Sequence, residues 1–230
     1  MLQMRRVKRQ NPLEGLEIGD SFELLCALKN IGYLNDNYQG ERELWWTPSD
    51  CFATIIEAIL VQNSRYEKVK IAMQNLGCFV ESPEDFVLLD VDSLAERISP
   101  VGFYHTKAKR LSMLCRSILD DFGDFESMKQ DCSREWLLQQ KGIGFETADA
   151  ILCYAFGRDV MVADRYSFLV LQSLGYEMQN YEEIQEWLQR GIFCRFSEVL
   201  DFYGKENLSK RWVFARFHGK IDEFAKEYQL

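Results

Sequence analysis

The chain has 230 residues, of which 47% are hydrophobic and 13% aromatic, with four prolines and a formal net charge of −9. This supports a real apolar core and argues against long disordered tracts. It also excludes indiscriminate coating of a polyanion, since the body of the protein is acidic. No apolar run reaches bilayer length, and no apolar signal core follows the basic start Met1–Arg6, so the expectation is a cytoplasmic protein with no membrane partner.

Nearly every periodic segment reads as helix. Apolar residues at 22, 24, 25, 28 and 31 predict a helix over Phe22–Ile31. Thr47-Pro48-Ser49-Asp50 has the form of a helix start, with a threonine cap and proline at the first position, leading into an apolar helix over Phe52–Val61. Ser82-Pro83-Glu84-Asp85 repeats that form. Tyr104–Asp120 is a long amphipathic segment with Leu111, Leu114, Cys115 and Ile118 on one face. A short helix from Ser133 to Gln140 and an alanine-rich one over Phe145–Phe156 follow. Val160-Met161-Val162 is a brief extended piece. Asp164 caps a helix that Gly175 stops, and helices over Tyr181–Gln189, Phe193–Phe202 and about Leu208–Tyr228 complete an all-α count of roughly ten.

The seven cysteines (26, 51, 78, 115, 132, 153 and 194) include no C-x-x-C pair, and most sit in apolar helical segments. They read as reduced, buried thiols and not as a metal site. Positive charge is local. Ile98–Leu119 and Leu208–Lys220 contain no acid but carry Lys107, Lys109, Arg110 and Arg116, and Lys210, Arg211, Arg216 and Lys220. Arg5, Arg6, Lys8 and Arg9 form a third basic stretch. Such segments on an acidic body suit one docked polyanion.

Lys141-Gly142-Ile143-Gly144 lies between two helical segments, a helix-hairpin-helix pattern. Glycines let the backbone approach a partner closely, the amides offer an anion site, and Ile143 can plug the turn into the core. Such a turn would hold DNA phosphate without reading sequence. Downstream, Asp164 supplies a carboxylate at a helix N-terminus, where the ionised form is favoured.

These motifs, with Gln62-Asn63, Pro100–Ala108 and Val162-Ala163-Asp164, resemble the helix-hairpin-helix DNA glycosylase superfamily of endonuclease III-like proteins over about Thr47–Leu174. Trp45-Trp46, Ala148–Tyr154 and Ala215-Arg216-Phe217-His218-Gly219-Lys220 extend the likeness over nearly the whole chain to the bacterial 3-methyladenine DNA glycosylases of that branch. The resemblance implies two helical domains with the active-site cleft between them. One would be central (46–158), with the hairpin; the other would be built from both ends (1–45 and 159–230). It makes Asp164 the catalytic carboxylate, and Trp45, Trp46, Tyr66 and Lys226 the base pocket. Gln62 and Phe103 become the residues that enter the helix when a base is flipped out, and Lys107, Lys141, Gly142, Ile143 and Gly144 the DNA contacts. Thr47 and Tyr66 depart from the proline and phenylalanine that the closer family can have there.

Glu146 stands where bifunctional members carry a Schiff-base lysine, so the expected enzyme is a monofunctional glycosylase that leaves an abasic site. The four closely spaced C-terminal cysteines that hold an iron–sulfur cluster in many relatives are missing after Cys194, so no cofactor is expected. Lys220 matches a C-terminal lysine for which carbamylation is expected. The expected partner is double-stranded DNA with damaged bases, bound by a monomer. The alternatives are a glycosylase for uracil, mismatched thymine or oxidised purine, and a non-catalytic helix-hairpin-helix DNA-binding protein.

Overall fold

The computed structural model describes residues 10–33, 44–46 and 49–230. Thirteen α-helices run through the described residues, and none of these residues forms a strand. In chain order they are α1 (Ser21–Asn30), α2 (Phe52–Leu60), α3 (Tyr66–Leu76), α4 (Pro83–Phe86), α5 (Val91–Arg97), α6 (Tyr104–Phe122) and α7 (Phe125–Asp131). They continue with α8 (Arg134–Gln139), α9 (Phe145–Ala150), α10 (Arg165–Ser173), α11 (Tyr181–Cys194), α12 (Phe196–Tyr203) and α13 (Lys210–Tyr228). The chain divides into two compact units, one of Met1–Trp45 with Asp159–Leu230 and one of Trp46–Arg158.

In the unit built from the chain ends, α13 is buried along most of its length. It packs against α1 and α10, and Leu24, Leu25, Leu28, Leu188, Ile192, Phe214, Phe217 and Phe224 form the core. A Cβ on Gly191 of α11 would lie 2.5 Å from Ser21 Oγ and 2.7 Å from Ser21 N. Glycine is needed there because α11 meets the start of α1 too closely for any side chain. Ile192 N then donates to Ser21 Oγ at 3.2 Å, which ties the two helices where they meet.

In the other unit, α2 is the central helix, with Phe52, Ile55, Ile56, Ile59 and Leu60 buried. It packs on α6 and on a π-helical segment, Ile151–Ala155, that continues α9. Phe156 N bonds back five residues to Ile151 O at 3.1 Å. The expected continuous α-helix to Phe156 therefore gives way to a wider π-helical turn where the segment packs on α2.

Several helix starts follow the local sequence. Ser82 Oγ caps Asp85 N with Pro83 at the first turn, and Ser133 Oγ caps Trp136 N. The start expected at Thr47 differs. Thr47 and Pro48 lie outside the described residues, and α2 begins only at Phe52, capped by the Cys51 backbone without a side-chain bond. Asp50 has φ +59 and its amide donates to Tyr154 O at 2.8 Å. That tertiary bond holds Ser49 and Asp50 out of the helix. Helices α3, α5 and α7 were not expected. In α3 only Val69, Ala72 and Leu76 are buried in a segment rich in charge.

Candidate active site and DNA interface

In the central unit the hairpin is built as its glycines suggest, though the two have different work. Gly142 has φ +93, and a Cβ there would lie 2.6–2.8 Å from Cδ, Nη1 and Nε of Arg110. The backbone angle demands glycine, and an added Cβ would also have to push the mobile end of Arg110 aside. Gly144 has φ −101, and no atom would lie within 4 Å of an added Cβ, so its Cα faces open space. Ile143 is buried and Lys141 exposed. The first turn of α9 has no side-chain cap, the state in which backbone amides can take an anion. Beneath the turn Asp149, fully buried, accepts two bonds from Arg134 of α8, at 2.7 and 2.8 Å. Arg134 also lies 4.9 Å from the centre of the Phe145 ring. The ion pair thus braces the two hairpin helices.

Gln62 follows α2 and reaches the hairpin: its Nε2 donates to Gly142 O at 3.0 Å and to Thr147 Oγ1 at 2.9 Å. Phe103 is 73% exposed with φ +55, at the N-cap of α6. A large apolar side chain held out on a strained backbone is not core packing.

Lys107 takes a different place from the phosphate contact expected of it. It is 3% exposed, and its ammonium donates to Leu60 O (2.8 Å), Gln62 O (2.7 Å) and Ser64 Oγ (2.9 Å). An ammonium has three protons, so none is left for DNA. Burial, with the charge of Arg110, lowers its pKa to about 8. The basic segment around Lys220 is corrected in the same way. Arg216 and Lys220 are buried, and Lys220 Nζ donates to Tyr33 O at 2.9 Å. Arg5, Arg6, Lys8 and Arg9 lie outside the described residues.

Trp46 packs on Tyr154 with ring centres 5.3 Å apart, and Tyr66 is 37% exposed at the start of α3. Both turn polar atoms toward Glu57, a buried carboxyl on α2. Glu146 is exposed on α9.

In the unit built from the chain ends, Asp164 is the N-cap of α10. Its Oδ1 accepts from Ser167 N (2.9 Å) and Ser167 Oγ (3.1 Å), and its Oδ2 lies 3.6 Å from His218 Nε2. Burial pushes this carboxyl up, but His218 and the two Ser167 donors outweigh it and hold the pKa below the ordinary value. Trp45 stands edge-on to His218 at 5.0 Å and donates to Glu223 Oε1 at 3.2 Å. Lys226 pairs with Asp222 at 2.6 Å and sits 5.0 Å from the Tyr166 ring centre. Asp222 is raised, chiefly by burial.

The sequence pattern gave no role to His218, Asp222 or Glu57. For the first two a signal was present: residues 218, 222 and 226 recur every four positions and share one face of α13. The expectation that the cysteines are buried was also too broad. Cys115, Cys132 and Cys153 are buried, but Cys78 and Cys194 are exposed, and none of the seven forms a disulfide.

A family profile described as "HhH-GPD superfamily base excision DNA repair protein" matches residues 56–192. The chain belongs to this superfamily. Among solved structures, the 3-methyladenine DNA glycosylase MagIII of H. pylori bound to 1,N6-ethenoadenine is 42% identical, with a TM-score of 0.84 over 92% of this chain and 99% of that one. A Methanocaldococcus jannaschii protein, provisionally named a DNA repair glycosylase, is 36% identical over 75% of this chain and 80% of its own length. An endonuclease III–DNA covalent intermediate is 16% identical with a TM-score of 0.64, covering 91% of this chain and 87% of that one, a likeness of fold alone.

Some endonuclease III-like members of the HhH-GPD superfamily carry an iron–sulfur cluster. Among the described residues no three His, Cys, Asp or Glu side chains gather as a metal site would need. No helix among them is long and apolar enough to cross a membrane.

Proposed function

We propose that this HhH-GPD protein is a monofunctional DNA glycosylase that flips alkylated purines of the 3-methyladenine type out of duplex DNA, hydrolyses their N-glycosidic bond and leaves an abasic site. The observation that carries the reading is Asp164, a carboxylate held ionised at a helix N-terminus by Ser167 and His218. A fixed negative charge stabilises an oxocarbenium-like sugar, or orients water toward its C1′ carbon, as charge development in glycoside hydrolysis requires. An N3-alkylated purine is cationic and already a good leaving group, so one carboxylate suffices without a dedicated general acid. The 42% identity to a 3-methyladenine DNA glycosylase supports this choice of lesion.

On this reading Trp45, Trp46, Tyr66 and Lys226 serve the base. Stacking on aromatic rings contributes about 1–3 kcal/mol per base in other systems. Gln62 and Phe103 fill the gap left in the duplex. For Gln62 this means giving up its bonds to Gly142 O and Thr147 Oγ1. Lys141 and the amides of Gly142, Ile143 and Gly144 hold phosphate. Glu146, a carboxylate, cannot form an imine with the opened sugar, so strand cleavage by a lyase step is not expected. Carbamylation of Lys220 belongs to the same proposal and is checked by native mass.

The test is release of free base from methylated DNA by the wild type and by Asp164→Asn. Loss of release with retained DNA binding is expected; equal release by both proteins would overturn the assignment. Borohydride trapping of a covalent complex would overturn the monofunctional part. A panel of duplexes bearing uracil, mismatched thymine or oxidised purine separates the other lesions.

A further inference from the structure

Glu57 lies in the middle of α2 (Phe-Ala-Thr-Ile-Ile-Glu-Ala-Ile-Leu) and is 3% exposed. A carboxyl inside an apolar helix is costly unless its surroundings use it. Those surroundings are two rings of the proposed base pocket. The Tyr66 hydroxyl hydrogen-bonds to Glu57, and the Trp46 indole N–H faces the same carboxyl without completing a bond. Glu57 Oε2 and Trp46 Nε1 are both buried and left without a partner. Among the described residues, Lys70 on α3 is the charged group that acts on Glu57, and its ammonium lies 5.0 Å from the Tyr66 ring centre.

We propose that Glu57 is a positioning residue of the base pocket, one that orients the Trp46 and Tyr66 rings and makes them electron-rich enough to hold a positively charged, N-alkylated purine. The inference rests on the pocket role assigned above to Trp46 and Tyr66. A phenol that donates to a carboxylate gains electron density in its ring, and an electron-rich face attracts cations. A charge inside the protein is poorly screened, so it also acts on the base directly. Burial raises the Glu57 pKa to about 7, against the smaller opposing pull of Tyr66, Trp46 and Lys70. The negative charge is therefore present above neutral pH and lost below it.

The experiment is single-turnover release of 3-methyladenine from methylated duplex between pH 6 and 8.5, for the wild type, Glu57→Gln and Tyr66→Phe. The wild-type rate should rise about tenfold through a midpoint near 7, which corresponds to ~1.4 kcal/mol of cation binding. Glu57→Gln should be flat at the level of the acid limb. Tyr66→Phe should move the midpoint upward, because it loses the bond that favours the carboxylate. A purely structural role would give no such shift. The fold control is thermal melting at pH 8, where Glu57→Gln should be at least as stable as the wild type, having no buried charge to accommodate. Retention of the rise at the wild-type midpoint by Glu57→Gln, or an unmoved midpoint in Tyr66→Phe, overturns the inference alone. A wild type that releases no 3-methyladenine at any pH overturns the substrate reading, and this inference with it.

Discussion

The two hairpin glycines should respond differently to the same added methyl group. At Gly142 the backbone has φ +93, and the new Cβ would lie 2.6 Å from Arg110 Cδ, 2.7 Å from Nη1 and 2.8 Å from Nε. Strain at such an angle costs about 1–3 kcal/mol, before Arg110 is displaced. Gly142→Ala should therefore lose about 2 kcal/mol of stability and, with the turn distorted, its grip on DNA. At Gly144 the backbone is extended and the space around Cα is open. As an N-cap, glycine is clearly better than alanine, so Gly144→Ala should cost about 1 kcal/mol. Its methyl would nonetheless stand where a phosphate has to approach. The assay is urea unfolding beside fluorescence anisotropy on a duplex with an abasic-site analogue. Gly142→Ala should lose about 2 kcal/mol as well as binding, whereas Gly144→Ala should lose binding with a stability loss about half as large. If Gly144→Ala binds as the wild type does, the phosphate is not held at that face. If Gly142→Ala is as stable as the wild type, the account of the turn is wrong.

Asp164→Ala removes the cap on α10 and should cost about 1 kcal/mol in denaturant unfolding, whereas Asp164→Asn can still cap and should unfold near the wild type while losing base release. Arg134→Ala removes both bonds that Arg134 gives to the fully buried Asp149 carboxyl, so a loss of about 3 kcal/mol is expected; a melting temperature within a degree or so of the wild type would show that the pair does not brace the hairpin. Lys107 titrates at about 8 when folded against an ordinary 10.5. Between those values the unfolded chain binds a proton that the folded chain lacks, so wild-type stability rises with pH across that window. Lys107→Met should lack this rise, and parallel urea titrations at pH 8 and 10 check it.

The fold was legible where a feature is local. Ser82, Ser133 and Asp164 each accept from an amide three residues on, as their side chains and the following turns predict. It was hidden where a distant partner decides. Asp50 is held by Tyr154 O, so the helix after Thr47-Pro48 starts late. The π-helical turn at Ile151–Ala155 has no signature in the apolar run Ile-Leu-Cys-Tyr-Ala, which reads equally as α-helix; the segment packs against α2. Helix α3 was legible too, since Val69, Ala72, Met73 and Leu76 stand at i, i+3, i+4 and i+7, a stripe the expected helices left out. The hairpin was readable as well, since glycine at a positive φ and an isoleucine plug are written in consecutive residues.

Charge was the least transparent part of the candidate site. An acid-free stretch looks like a surface for a polyanion, but whether each cation faces water is settled by packing. Lys107 shows what the alternative can be. Its ammonium holds Leu60 O, Gln62 O and Ser64 Oγ, while Ser64 Oγ also accepts from Gly102 N at 3.2 Å. Lys107 N in turn donates to Phe103 O at 2.9 Å. One buried lysine thus joins the loop of Gln62 to the loop of Phe103, the two residues proposed to enter the duplex. Removing a surface lysine that grips a phosphate would weaken binding and make it less sensitive to salt, by about one counterion's worth. Replacing Lys107 should instead leave the salt slope of DNA affinity unchanged and disturb both entering residues together, reducing base flipping as read by a fluorescent base opposite the lesion. A shallower salt slope with flipping intact would restore Lys107 to the DNA-facing surface and contradict its placement in the core.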